Sequence, residues 1–291
     1  MTAIKATQVK ELRDRTGLGM MECKKALVET DGDIEAAAEL MRKSGAAKAD
    51  KKAARVAADG AIKTVVTEDR KTAVIVEINS ETDFVAKDDN FQSFTDAVIQ
   101  ILLQQKPASV AELSSLSLAS GQTVEESRQA LIVRVGENIQ IRRFEIIESN
   151  QGVASYLHGT RIGVLVDSSA EPDMARDIAM HIAAVNPQFV DESAVPAEFV
   201  EKEKSILVAQ AQDSGKPPEI IEKMIQGRLN KFLAEVTLLG QPFVKDPDQT
   251  VSKLLSSADA SISGFIRYEV GEGIEKKVED FAAEVASQLN S

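Results

Sequence analysis

At Ala61 the spacing of apolar residues changes from that of a helix to that of a strand, and the pattern that begins there occurs twice. Residues 61–79 hold two β-branched runs, AIKTVVTE and TAVIVEIN, separated by Asp69-Arg70-Lys71, a composition that predicts a hairpin. The turn SETDFVAKDD leads into a helix carrying Phe94, Val98, Ile99 and Leu102. A second helical segment around 127–135 precedes the strand IQIRRFEIIE at 139–148. VASYLH and RIGVLVDSS then give two more β-rich runs around a Gly-containing turn, followed by the helix MARDIAMHIAAV. Strand, turn, strand, loop and helix in duplicate predict two related α+β subdomains.

The segments on either side of this pattern read as helices. In the first forty-odd residues, Thr7 is placed to cap a helix from Val9 that Gly17 stops. Met20, Cys23 and Leu27 share one face of a second helix. Asp33 caps a third, with Ile34, Ala37, Ala38 and Met41 on its apolar face and Gly45 beyond its end. The Ala- and Lys-rich stretch 46–60 reads as a partly helical linker. Further on, AEFVEKEKSILVAQAQ and PEIIEKMIQGRLNKFLAEV flank the breaker SGKPP. Phe199, Ile206 and Ala209 are expected on one face, opposite Ile221, Ile225, Phe232 and Val236 with Arg228 at the rim, as in an inserted antiparallel coiled coil. GQPFVKDP, a helix near VSKLLSSA, the strand SISGFIRYEVG and a last helix, VEDFAAEVASQL, complete the chain.

The expected fold class is therefore α+β. Its expected divisions are a three-helix domain at 1–45, a linker at 46–60 and a first core subdomain at 61–148. A second core subdomain follows at 149–195 and 240–270, interrupted by a helical hairpin at 196–239, with a C-terminal helical module at 271–291.

Composition narrows the function. The single Cys23 forms no internal disulfide, and one Cys with two His is too few ligands for a Cys/His zinc site. No signal peptide or membrane-spanning run is evident, which points to the cytoplasm. The formal net charge of −12 disfavours direct nucleic-acid binding. That charge is uneven, since residues 1–60 carry +2 and the remainder −14, as expected of two units with different surfaces.

Motifs for catalysis are absent. There is no P-loop (GEGIEKK at 271–277 lacks the Ser or Thr), no H-E-x-x-H, no G-x-S-x-G and no dinucleotide fingerprint. Cys23 sits on an apolar stripe and reads as buried structure. His158 reads as a solvated turn residue, and His181, on the apolar side of its helix, as a satisfied histidine. The Lys48, Lys51 and Lys52 cluster reads as a solvated face. Met20-Met21 beside Lys24 suits either core or adaptable protein contact.

The most informative stretch is Thr82-Asp83-Phe84-Val85. One reading has Thr82 or Asp83 capping the next helix while Phe84 packs inward as a staple. The other has a loop presenting an apolar ring beside a carboxylate to a partner's pocket.

VKELRDRTGLGMMECKKAL, VAADG, TDFVAKDDNFQSF, GENIQIRRF, HGTRIGVLV, GQPFVKDP and GFIRYEVGEGIEKK, in this order, resemble the elongation factor Ts family over essentially the whole chain. The resemblance implies a guanine-nucleotide exchange factor for the GTPase elongation factor Tu, needing no cofactor, metal or active site of its own. It further implies an N-terminal ubiquitin-associated-like domain, a two-part α+β core with antiparallel sheets, a protruding coiled coil and a C-terminal helical module. The TDFV segment of the family enters the GTPase domain and helps displace Mg²⁺, a role that falls here on Thr82, Asp83, Phe84 and Val85. Weaker implied contacts are Met20, Met21, Lys24 and Lys52 from the N-terminal domain, and His181 and Val244 from the second subdomain. A homodimer or a 2:2 complex stays open. Two alternatives are a passive assembly protein acting through the hairpin, and a hydrolase or transferase using carboxylates such as Asp83 and Asp88.

Overall fold

Three amphipathic helices open the chain: α1 (Ala6–Thr16), α2 (Met20–Glu29) and α3 (Ile34–Lys52). Their apolar faces supply one small core of Val9, Leu12, Cys23, Ala26, Leu27, Ala37 and Met41. Helix α1 starts before Thr7, at Ala6, with Gln8 reaching back to the Lys5 N–H at 3.0 Å, so Thr7 lies inside the helix and does not cap it. Gly17, at φ +67°, ends α1 as expected. Asp33 caps α3 by accepting from the N–H groups of Glu35 and Ala36.

Gly45 was expected beyond the end of α3, but the helix runs through it to Lys52. The reason is packing: Gly45 is buried, and a Cβ there would stand 3.4 Å from Val133 of α7 (Val124–Val135). Gly45 lies on the face of α3 that packs on α7 and does not stop the helix. Helix α7 is fixed by a capping box between Thr123 and Glu126.

The computed structural model describes residues 4–212 and 217–275. The expected C-terminal helix and most of the SGKPP breaker lie outside these residues. The described residues fall into two compact units. One draws on 4–63, 76–144 and 269–275, the other on 64–75 and the described residues of 145–268.

Strands β1 (Asp59–Val66), β2 (Thr72–Ser80) and β3 (Gln140–Glu148) form a sheet with β2 in the middle. Strand β2 is buried from Ala73 to Ser80, the apolar Ala73–Val76 and Ile78 together with the polar Glu77, Asn79 and Ser80. It is followed by the single turn α4 (Asp83–Ala86), then α5 (Asp89–Gln105), which buries Phe91, Phe94, Val98, Ile99 and Leu102. A short helix unanticipated from the sequence, α6 (Val110–Ser115), is capped by Ser109 and packs on α7.

The second unit repeats the order. Strands β4 (Val153–His158) and β5 (Ile162–Ser168) pair antiparallel from Val153↔Asp167 to His158↔Ile162, and β8 (Ile262–Glu269) adds to β5. Helix α8 (Pro172–Val185) packs on β4 and β5, bringing Ile178, Ala179 and Ile182 against Val164 and Val166. The two-stranded β6 (Pro242–Phe243) and β7 (Asp246–Thr250), with α11 (Val251–Ser257), complete this core through Phe243, Val251 and Leu255. Two α+β units with small antiparallel sheets make the fold α+β.

Helices α9 (Ala197–Gln212) and α10 (Pro218–Val236) pack on each other. The Phe199 ring, at the start of α9, stacks on Phe232, near the end of α10, with centroids 5.6 Å apart. The buried stripe of α9 differs from expectation by a small rotation. Leu207 and Ala211 are buried where Ile206 and Ala209 are exposed; on α10 Val236 is buried as expected, and Leu229, beside the rim position Arg228, is buried as well.

Candidate functional site

The TDFV stretch begins where β2 ends. Thr82, in extended conformation, caps α4 by accepting from the Val85 N–H at 3.4 Å. Ala86 is buried and anchors the turn, and the Asp83 carboxylate pairs with Lys87 Nζ at 2.7 Å. Phe84 points outward and is 81% exposed. The capping expected for Thr82 is thus present, but the inward staple is not: the ring stands in solvent. A phenyl ring that gains nothing from the fold is free to gain from a partner.

Asp88 closes the turn by capping α5. It accepts from the Asn90 side chain and from the N–H groups of Asn90 and Phe91, and these bonds hold its carboxyl below the usual carboxylate range. Asp83 therefore serves as an ion-pair partner of Lys87, and Asp88 as a helix cap whose carboxyl is held ionised. That arrangement suits a rigid loop better than general acid–base chemistry.

The root of the loop is held by the turn after α7. The Glu137 carboxylate accepts from the Thr82 N–H at 3.0 Å and from its hydroxyl at 2.7 Å. In return, Glu81 accepts from the Asn138 N–H at 2.6 Å. The Asn138 amide group donates onward to the Arg55 carbonyl at 2.8 Å, and Lys52 Nζ donates to the Gly136 carbonyl. Arg134 bridges two loops, donating through Nε to the Gly17 carbonyl at 3.0 Å and through Nη1 to Asn90 Oδ1. The α1–α2 turn and the start of α5 are thereby joined, and each leads within a few residues to Met20 or from Phe84. Neither Glu137 nor Arg134 was singled out from the sequence. The one signal was the GENIQIRRF motif itself, which gives no hint of the bonds across to Thr82.

Met20 and Met21 are exposed on the first turn of α2, Met21 to 75%, and Lys24 is exposed beside them. Cys23 between them is buried, as expected. Lys52 is half-buried, and its ammonium donates to the Gly136 carbonyl and braces the turn.

In the second unit, His181 is fully buried and both ring nitrogens are engaged. Nδ1 accepts from the Val244 N–H at 3.1 Å, which places the proton on Nε2 facing Gln241 Oε1 at 2.9 Å. Burial lowers its pKa, opposed by the Gln241 bond. The ring is buried and supports the backbone of the exposed Val244. His158 lies exposed at the end of β4, as a turn residue should.

Among the described residues there is no cluster of three or more His, Cys, Asp or Glu able to hold a metal ion, and no helix long and apolar enough to cross a membrane. The sequence model for elongation factor TS matches residues 81–272. The chain is 58% identical to elongation factor Ts of Thioalkalivibrio sulfidiphilus over 288 residues, 98% of either chain. It is 58% identical to that of Methylococcus capsulatus over 291 residues, 99% of either chain. Identity to the Legionella pneumophila (strain Lens) protein is 53% over 292 residues, the full length of both. With a match from the TDFV loop through β8 and full-length relatives at this identity, the chain belongs to the elongation factor Ts family of translation elongation factors.

Proposed function

We propose that this protein is a guanine-nucleotide exchange factor that binds elongation factor Tu in its GDP state, displaces Mg²⁺ and promotes GDP release so that GTP binds. The observation that carries the reading is Phe84, an 81% exposed ring on a capped and braced turn. Family membership supplies the partner, and the loop supplies the wedge. In this reading Thr82 and Asp83 fix the turn, Phe84 and Val85 enter the partner, and Met20, Met21 and Lys24 add a second contact. Val244 adds a third from the other unit, supported by His181. The three-helix region acts as a ubiquitin-associated-like docking module and residues 196–239 as an inserted coiled coil. The protein works in the cytoplasm as a binding protein, with no chemistry of its own.

The mechanism is linkage. A factor that binds the nucleotide-free partner more tightly than the GDP-bound partner weakens GDP binding by the same ratio. Mg²⁺ bridges phosphate oxygens and offsets their charge, so its displacement loosens the phosphates. Burying most of a phenyl ring, about 120–200 Å² of apolar surface, is worth roughly 3–5 kcal/mol before the costs of association. A net hot-spot value of about 2–4 kcal/mol corresponds to roughly 30- to 700-fold in the coupling.

The test is stopped-flow release of a fluorescent GDP from elongation factor Tu. Wild type accelerates release, and Phe84→Ala loses most of the acceleration while its unfolding midpoint stays within experimental scatter of wild type. Folded wild type that leaves the release rate unchanged refutes the reading and leaves a passive binding protein.

A further inference from the structure

We infer that Glu137 is a positioning residue for nucleotide exchange: its carboxylate sets the orientation of the turn that presents Phe84. The inference rests on the exchange reading above and adds to it a residue outside the TDFV segment.

The argument is one of donors and acceptors. Thr82 must do two things at once. Its Oγ1 lone pair receives the Val85 N–H, and its hydroxyl hydrogen needs an acceptor. Glu137 provides that acceptor with one oxygen, at 2.7 Å, and takes the Thr82 backbone N–H with the other, at 3.0 Å. The two bonds pin both the backbone and the χ1 rotation of Thr82, and they leave its lone pair aimed at Val85. The α4 turn has only four residues, far too few to be stable alone, so its direction is decided by its cap. Phe84 is the second residue of that turn. Its own contacts do nothing to hold it, since the ring is 81% exposed.

Glu137 is itself well placed to act as a fixed point. Gly136, at φ +83°, ends α7 and swings the chain so that the next residue faces the loop. Lys52 holds the Gly136 carbonyl on one side. On the other, Asn138 is fully buried, gives its N–H to Glu81 and its side-chain amide to the Arg55 carbonyl. Glu81 and Glu137 thus clasp each other's neighbouring backbone, and the clasp ties the wedge to α7 and to the segment after α3.

The test is a double-mutant cycle on the maximal GDP release rate at saturating protein, with Glu137→Ala, Phe84→Ala and the pair. Glu137→Ala is expected to lower the rate about tenfold, the worth of one charge-assisted hydrogen bond. In the Phe84→Ala background it has no further effect, because there is no ring left to position. Glu137→Gln restores only part of the rate: its amide oxygen takes the Thr82 N–H, but its NH₂ cannot accept the hydroxyl hydrogen as the second carboxylate oxygen does. Should Glu137→Ala fail to fold, Thr82→Val, which deletes the hydroxyl and keeps the shape, carries the same cycle. Equal losses in both backgrounds overturn the inference, for Glu137 then supports the fold at large. Wild type without acceleration overturns the exchange reading itself, whereas active wild type with an additive cycle overturns only the role of Glu137.

Discussion

Replacing Glu77 by Gln removes one buried charge and keeps its shape, and the consequences can be worked from its surroundings. Glu77 lies on β2 with no exposed surface. Its Oε1 accepts from Arg142 at 3.0 Å, Asn79 Nδ2 at 3.1 Å and the Gly271 N–H at 2.8 Å, and Oε2 accepts from Arg143 Nε at 2.6 Å. Burial raises the pKa of this carboxyl, but the Gly271 N–H and the two guanidinium groups outweigh burial and hold it below the ordinary carboxylate range. Gly271 is fixed here twice over. It sits at φ +72°, and a Cβ would collide with the Ala58 carbonyl oxygen. The cluster therefore ties the chain beyond β8 to the β1–β2–β3 sheet.

Breaking a buried ion pair from one side costs about 3–5 kcal/mol. The two arginines are 26% and 32% exposed and recover part of their hydration, which brings the expectation for Glu77→Gln to about 2–3 kcal/mol. Urea unfolding followed by circular dichroism should show this as a midpoint lowered by about 1 M for the first unit. A pH series supplies the second half of the test. The folded pKa is depressed, so the stabilisation is complete above the unfolded value, about 4.3, and fades as pH falls through the folded one. The gap between wild type and Glu77→Gln must therefore close in acid. A variant within 0.5 kcal/mol of wild type at pH 7, or a gap of constant size down to pH 3, refutes the reasoning.

His181 titrates with the opposite chemistry. Its folded pKa is depressed, so the unfolded chain takes up a proton first as pH falls below about 6.5, and the second unit loses stability in that direction. Protonating Nδ1 also removes the acceptor for the Val244 N–H. Urea midpoints at pH 7.5 and 5.5 should differ more for wild type than for His181→Phe, and equal differences would rule this out. Gly45→Leu is expected to cost about 1–3 kcal/mol by overpacking α3 on α7; thermal unfolding that matches wild type would show the helices have room to spare.

Legibility from sequence followed range. Strands β1, β2, β4 and β5 were readable because β-branched runs and turn residues act within a few positions of each other, and the same holds for the Asp33 cap. Gly45 was misread because a glycine at a helix end and a glycine under a helix crossing look alike locally. Only the presence of Val133, far along the chain, separates them. The face of α9 was off by one residue because Ile206 and Leu207 are equally apolar, and the partner helix decides which is buried. The candidate site divides in the same way. Thr82 as cap and Phe84 as a residue of interest were legible, but the direction of the ring was undecided between two readings. What decides it is the bond to Glu137, 55 residues away, and no local pattern encodes that.

The bracing also bears on why a wedge of this kind works from a short turn. Ordering a flexible backbone costs about 1–2 kcal/mol per residue. Were residues 81–86 mobile before binding, that cost would consume everything the Phe84 ring returns on burial. Here the order is built during folding: Ala86 is buried, Thr82 is held by three hydrogen bonds, and Asp88 caps the following helix. The ring itself stays outside the fold, so its apolar surface is still unspent when a partner arrives. Rigid root and exposed tip are thus complementary requirements, and weakening the root should cost activity even though Phe84 itself is untouched. That is the outcome the Glu137 and Phe84 cycle separates from simple loss of stability.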